Sequence, residues 1–221
     1  MGNNFTYYNC HSHRKPLVEG EQCIRNAFLT PPISSNLTYK LSIGLHPWFV
    51  EKETEESLNA KLIKSLENPN IVAIGEIGLD KLAPNLALQE RYFSIQKEFA
   101  LANNLPLIIH QVRVAAELGS NLKNHTGKVV LHGFTGHLQV WEHLNKNQNT
   151  YVSIGAAILK ENPKLVQTVQ ELPANFLLLE TDTSNKTIDQ VYNKIAEIKQ
   201  CSMKELCQQV EQNFKAVFTK Y

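Results

Sequence analysis

Three things are scarce in this chain of 221 residues, and each scarcity removes a class of protein. Long apolar runs are missing: none approaches the roughly 20 residues a membrane-spanning helix needs, so no membrane association is expected. Cysteine is sparse, and Cys10, Cys23, Cys201 and Cys207 contain no CxxC pair, which argues against a zinc knuckle or a disulfide framework. An excess of charge of either sign is also missing, with 22 basic against 21 acidic residues and a formal net charge of +1. That balance gives no electrostatic reason for tight, non-specific binding to nucleic acid. A nuclease working on short or single-stranded ends remains compatible with it. The opening stretch, Met1 to Tyr8, lacks the charged and apolar regions of a signal peptide, and a reduced, cytoplasmic protein is expected. Repeats, low-complexity tracts and linkers are absent too, and the length suits one domain over residues 1–221.

What is present is alternation. Short apolar runs bounded by polar or turn residues fall at 5–10, 22–29, 39–45, 71–77, 106–110, 128–131, 151–154 and 176–179. Several are too continuous for half-exposed strands and read as parallel strands buried on both faces. Helix-like stretches lie between them at 54–66, 86–102, 115–123, 138–146 and 163–171, with two more, 188–199 and 203–218, after the last strand. In the first, Leu58, Leu62 and Leu66 recur at intervals of four, the spacing of one stripe facing a sheet. Strand alternating with helix means parallel βαβ units, and eight such strands predict a closed (β/α)8 TIM barrel. Residues 14–21 are short for a crossover helix, and 29–37, with Pro31 and Pro32, read as loop. The helical ring is therefore expected to be thin near strands one to three.

The sharpest local signal is Cys10-His11-Ser12-His13, directly after the first apolar run. Residues two apart on a strand share a face, so His11 and His13 can converge on one ion. Histidines so spaced are also often plain hydrogen-bonded residues at a strand end. What separates the two readings is the company they keep. Glu76 ends the strand of Ala-Ile-Gly-Glu, His110 closes Leu-Ile-Ile-His, His132 closes Val-Val-Leu-His, and Asp182 closes Leu-Glu-Thr-Asp. A carboxylate at the end of such a strand is costly to bury unless it is paired or binds a metal. Five strands thus end in metal-capable residues on the side where barrel enzymes assemble their sites. Four histidines and two carboxylates match a dinuclear donor set.

The same motifs carry a resemblance. HxH, then GLHPW, GEIGLD, IIH, HGF and ETD, from Tyr7 to about Phe214, resemble the TatD-like family of metal-dependent hydrolases within the amidohydrolase superfamily. The resemblance implies a TIM barrel and divalent-metal-dependent hydrolysis, commonly of DNA phosphodiesters and often from an exposed end. It assigns His11 and His13 to one metal, His110 and His132 to the second, Glu76 to the bridge between them, and Asp182 to the last strand. It also marks departures. Asn9 stands where the family usually has Asp, Val112 where it has a basic residue two places after the histidine, and Thr183 where a proline usually follows ETD. These alter the shell around the substrate and leave the donor set whole.

Other residues have humbler prospects. His46, ending the third strand in Gly-Leu-His-Pro-Trp, either caps a loop fixed by Pro47 or binds phosphate. With Val112 in place of a base, His46, Lys81 and Arg113 are the expected cationic contacts for substrate. Asp80 is expected to make an ion pair behind the site rather than to touch substrate, Trp48 to pack or to wall a pocket rather than to serve as a base-stacking platform, and Cys10 to sit in the core. His125, His137 and His143 are expected to face solvent. The expected cofactor is two divalent ions per chain, and His with carboxylate suits Zn, Mn, Ni or Mg alike. The leading expectation is a DNase with Asp182 and Glu76 as catalytic residues, acting on DNA or short nucleic-acid ends. The alternatives are hydrolysis of a small amide, ester or lactone, or a metal-binding scaffold without catalysis. Oligomeric state is open, monomer included.

Overall fold

The computed structural model describes residues 5–30, 37 and 39–221, so most of the expected loop at 29–37 lies outside the described residues. Eight strands form one sheet: β1 (Tyr7–Ser12), β2 (Glu21–Asn26), β3 (Lys40–Ile43), β4 (Ile71–Asp80), β5 (Leu107–Val112), β6 (Val129–Leu131), β7 (Thr150–Ile154) and β8 (Leu177–Leu179). Each pairs in parallel with its successor in chain order. The ring closes beyond the ends of β1 and β8. There Ser12 bridges Asp182 in parallel, the His13 amide donates to the Asp182 carbonyl at 3.1 Å, and the Asp182 amide donates to the His11 carbonyl at 3.0 Å. The Cys10 thiol lies 3.0 Å from the Ser153 hydroxyl, a contact between β1 and β7 that crosses the barrel interior.

Helices cover the outside: α1 (Glu55–Ser65), α2 (Leu86–Ala102), α3 (Ala115–Leu122), α4 (Leu138–Leu144), α5 (Pro163–Glu171), α6 (Ile188–Lys199) and α7 (Met203–Val217). Among the described residues none lies between β1 and β2 or between β2 and β3, so the ring is thin there, as expected. Local chemistry sets the helix ends. The Thr54 hydroxyl caps α1 by accepting from the Ser57 amide, Glu55 and Glu56 sit at its positive end and Lys64 at its negative end. Ser202 and Glu205 form a reciprocal capping box at the start of α7. The stripe on α1 is shorter than the spacing suggested. Leu58 and Leu62 are fully buried, but the helix stops at Ser65 and leaves Leu66 outside it, 44% exposed.

β4 is the central strut, buried at all ten positions. Two glutamines on α2, one heptad apart, hold the strand ends that face the barrel mouth. Gln96 accepts from the Leu45 amide (2.6 Å) and donates to the Leu45 carbonyl, while Gln89 does the same for Asp80, at 2.8 and 3.1 Å. Each satisfies a donor and an acceptor where the strand has run out of partners. At the other end of the chain, Asn213 of α7 donates to the Ala174 and Leu177 carbonyls, and Phe214 packs 4.8 Å from the Tyr8 ring. Those contacts fasten the last helix across β8 and β1.

Candidate metal centre

Two irregularities in the ladder aim the central side chains. Along β4, Gly75 is level with Ile108 and Ile77 with Ile109, so Glu76 is an extra residue bulged out of register. Along β1, Asn9 is level with Cys23 and Ser12 with Arg25, which displaces the segment carrying His11. Bulges bend a strand and re-aim the side chain at the bend. Here the result is a buried carboxylate with histidines on both sides.

The two oxygens of Glu76 divide those histidines. Oε1 lies 3.1 Å from His46 Nε2, 2.9 Å from His110 Nδ1 and 2.8 Å from His132 Nε2. Oε2 lies 3.6 Å from His11 Nε2, 3.3 Å from His13 Nε2 and 3.3 Å from Asn26 Nδ2. Asp182, on a turn with φ of 52°, brings Oδ1 to 3.6 Å from His11 Nε2 and 3.5 Å from His13 Nε2. Aspartate tolerates that left-handed conformation better than most side chains do. The structure thus brings together His11, His13, Glu76, His110, His132 and Asp182, and adds His46 to them.

Is this an ion-pair network or a metal site? Three overlapping triplets, His11–His13–Glu76, His11–His132–Asp182 and His46–Glu76–His110, each place their donor atoms within 4.8 Å of one another. His11 decides the matter of fit. It is fully buried, and neither of its ring nitrogens has a hydrogen-bond partner. A buried imidazole without partners is expensive. Its 3.6 Å separations are too long for hydrogen bonds but close to the roughly 3.4 Å between ligands of a four-coordinate ion with bonds near 2.1 Å. The donor set therefore fits divalent metal.

Electrostatics agree with a site built around charge. Burial would raise the Glu76 carboxyl, but His11, His110, His13 and His132 outweigh it and hold that group far below the ordinary carboxylate range. Burial and the neighbouring His132 push His11 down, yet Asp182 and Glu76 bring it above its usual value. His132 is also penalised by burial, and Glu180 and Glu76 raise it strongly. His46 goes the other way, because burial dominates the help it receives from Glu76.

Behind the donors stands a supporting layer. Asp80, buried, accepts from the Trp48 indole at 2.7 Å and faces His110 Nε2 at 3.2 Å, matching the expectation that it acts from behind. Glu180, fully buried, accepts from the Gly133 amide and lies 3.5 Å from His132 Nδ1. Such carboxylates orient ligating imidazoles. Of the expected cationic contacts only His46 is in the cluster. Lys81 pairs with Glu117 at 2.7 Å on the rim, and Arg113 is exposed on the loop after β5. His46 also performs the cap that was its alternative, accepting the Trp48 amide at 3.1 Å. Trp48 is 61% exposed, which makes it a wall rather than packing. His125 is a correction: it is buried, not solvent-facing, because it closes the turn under β6, while His137 and His143 are exposed. Asn26 and Glu180 were missed, since a lone Asn gives no signal and the Glu of ETD was overshadowed by its Asp.

A parallel eight-stranded barrel with this donor cluster at its C-terminal mouth is the architecture of a metal-dependent hydrolase. A family model described as "TatD related DNase" matches residues 34–219, and the chain belongs to that family. It is 32% identical to the uncharacterised metal-dependent hydrolase YjjV of Escherichia coli over 157 residues, 67% of this chain and 59% of that protein. The aligned stretch is thus under two thirds of that relative's length. It is likewise 32% identical to the uncharacterised metal-dependent hydrolase YabD of Bacillus subtilis, over 80% of this chain and 76% of that one. A protein named 3'-5' ssDNA/RNA exonuclease TatD from Pantoea vagans is 27% identical over 79% of this chain and 76% of its own. The crystal structure of the Escherichia coli YjjV protein superposes with a TM-score of 0.83 at 26% identity, covering 97% of this chain and 98% of that one.

Proposed function

We propose that residues 1–221 form one domain that hydrolyses phosphodiester bonds at nucleic-acid ends, DNA foremost, with two divalent ions at the barrel mouth. The observation that carries this reading is Glu76, whose two oxygens face two separate histidine groups, the arrangement of a bridging carboxylate. His11, His13 and Asp182 would hold one ion with Oε2, and His110 and His132 the other with Oε1. The chemistry such ions supply is polarisation of a phosphoryl oxygen and a lowered pKa for the attacking water. Asp182 has a side chain 37% exposed, so of the carboxylates in the cluster it is the one that can take a proton from water in the mouth. Its carboxyl is held below its usual value by His11 against burial, which keeps it ionised. Asp80 and Glu180 hold His110 and His132 in orientation. The activity named for the Pantoea vagans relative supports nucleic acid over a small amide or lactone.

The test is a metal-reconstituted panel of single-stranded DNA, a phosphodiester reporter and small amides, run on two variants beside the parent. Glu76→Gln should lose bound metal and activity together, since two cations would then face each other with less to hold them. Asp182→Asn should keep most of its metal and lose about 10²- to 10⁴-fold in kcat, the usual worth of placed proton transfer. Turnover of amides with none of phosphodiesters overturns the reading.

A further inference from the structure

Outside the donor cluster lies a run of aromatic surface that packing does not explain. Trp48 is 61% exposed, Phe28 39% and Phe49 38%, on a chain whose other aromatic side chains are largely covered. Their rings abut the cluster itself. Trp48 is 5.0 Å from the His46 ring and 6.2 Å from that of His110, Phe49 is 5.9 Å from His46, and Phe28 is 5.5 Å from His13. Phe28 and Phe49 meet edge to face at 6.1 Å, which makes one continuous shelf from β2 to the turn after β3.

The shelf is held rather than loose. The Trp48 indole N–H is tied to buried Asp80, so the ring presents its face with its polar edge already satisfied. Phe28 sits at φ of 49°, a backbone region unfavourable for a bulky side chain, and its amide is held by Asn26 Oδ1 at 2.9 Å. At the outer side, the Lys52 ammonium lies 5.6 Å from the Phe49 ring centroid. A ligand that fits must put an anion on the cluster, a flat π-face on the shelf, and a further negative charge near Lys52. An unpaired nucleotide strand has all three in that order. Paired bases are stacked inside a duplex and present no free face.

We propose that Trp48, Phe49 and Phe28 form a stacking platform for unpaired nucleobases beside the scissile phosphate. This inference rests on the phosphodiesterase reading for its chemistry but not for its binding. Stacking on an aromatic side chain is indifferent to sequence, because every base has a π-face. It also supplies positioning that Val112 cannot.

The experiment compares phosphorothioate oligothymidylate, which resists cleavage, with an abasic oligomer of equal length on the metal-loaded protein. In a Trp141→Phe background Trp48 is the remaining tryptophan of the two in the chain, and its emission reports contact. The thymidylate should quench Trp48 and bind about 5- to 100-fold more tightly than the abasic chain. Trp48→Ala should raise KM for single-stranded DNA by a similar factor, and Trp48→Phe, which keeps a π-face but gives up the bond to Asp80, should recover part of that loss in KM. Equal affinity for the two oligomers, measured on the chain with Trp48 in place, overturns the platform even where the alanine variant folds poorly. So does a Trp48→Ala variant impaired only on an apolar ester reporter, which would give the shelf to a small molecule. Quenching without hydrolysis leaves the platform standing and removes the phosphodiesterase reading instead.

Discussion

Asn9 is a single amide at a place where the family usually carries a carboxylate, and its surroundings say why the amide belongs here. It is fully buried, and its Nδ2 donates to Glu21 Oε1 at 2.7 Å and to the Thr181 hydroxyl at 2.8 Å, while its Oδ1 accepts the Thr181 amide at 3.2 Å. Glu21 Oε2 in turn accepts the Leu17 and Val18 amides. An aspartate would remove both donors and press a second carboxylate against the first. Asn9→Asp should therefore cost about 2–4 kcal/mol, an unfolding midpoint lower by about 5–15 °C. Adding Glu21→Gln restores a donor to face the introduced carboxylate while keeping an oxygen for the two amides, and should recover most of the loss. Thermal unfolding of the single and double variants decides it; a single variant as stable as the parent refutes the pairing.

At the scale of elements, the turn between α3 and β6 carries a cost that pH reveals. His125 is buried there with Nε2 unpartnered, and burial, aided by Lys97, pushes its pKa below the ordinary 6.5. The folded chain thus refuses a proton that the unfolded chain accepts once the pH falls below about 6.5. Stability should drop on acidification through that window, by at most about 1.4 kcal/mol per pH unit from this group. His125→Leu should flatten the drop between pH 7 and 5, as denaturant titrations at several pH values would show. This histidine also marks where sequence reasoning thins out. Strand and helix order was legible because apolar runs are local signals, and the six candidate ligands stood out because each ends a run. Burial of a loop histidine depends on what folds over it. The same holds for His46, which reads as a loop cap or a phosphate contact and becomes a neighbour of Glu76 only when β3 and β4 lie side by side. Gln89 and Gln96 read as ordinary helix residues until the strand ends they satisfy are known. The extension of β4 to Asp80 was hidden by Gly78, a residue that usually ends a strand but here has φ of 143° and lies against the His110 carbonyl.

Across the whole molecule, the candidate ligands lie on or just after β1, β4, β5, β6 and β8, so a metal centre there would tie together both ends of the ring. Ligand that binds only the folded chain stabilises it by about 2.7 kcal/mol at a hundredfold excess over Kd. Chelation should accordingly lower the unfolding midpoint by about 5–10 °C. Without metal, His11 and His132 have pKa values raised above the ordinary 6.5, so their contribution is full below that pH and is lost as the pH rises through the raised values. With metal, those protons must leave, and stabilisation grows as the pH rises. Unfolding curves with and without chelator should therefore draw apart from pH 6 to 8 and converge on acidification; curves that stay parallel would mean these histidines bind no ion.

The seam of the barrel has a consequence for how the protein is made. Among the described residues, β1 meets the chain beyond β8 through a bridge at Ser12 and Asp182 and through hydrogen bonds at His11 and His13, the same stretch that carries three of the donors. A chain emerging from the ribosome can lay down strands one after another, but it holds an open sheet until residue 182 has arrived. Until then the histidines at 11 and 13 have no aspartate opposite them. On the phosphodiesterase reading, a stalled or prematurely terminated product would be a blade with its jaws unhinged, unable to cut the nucleic acid that surrounds its own synthesis.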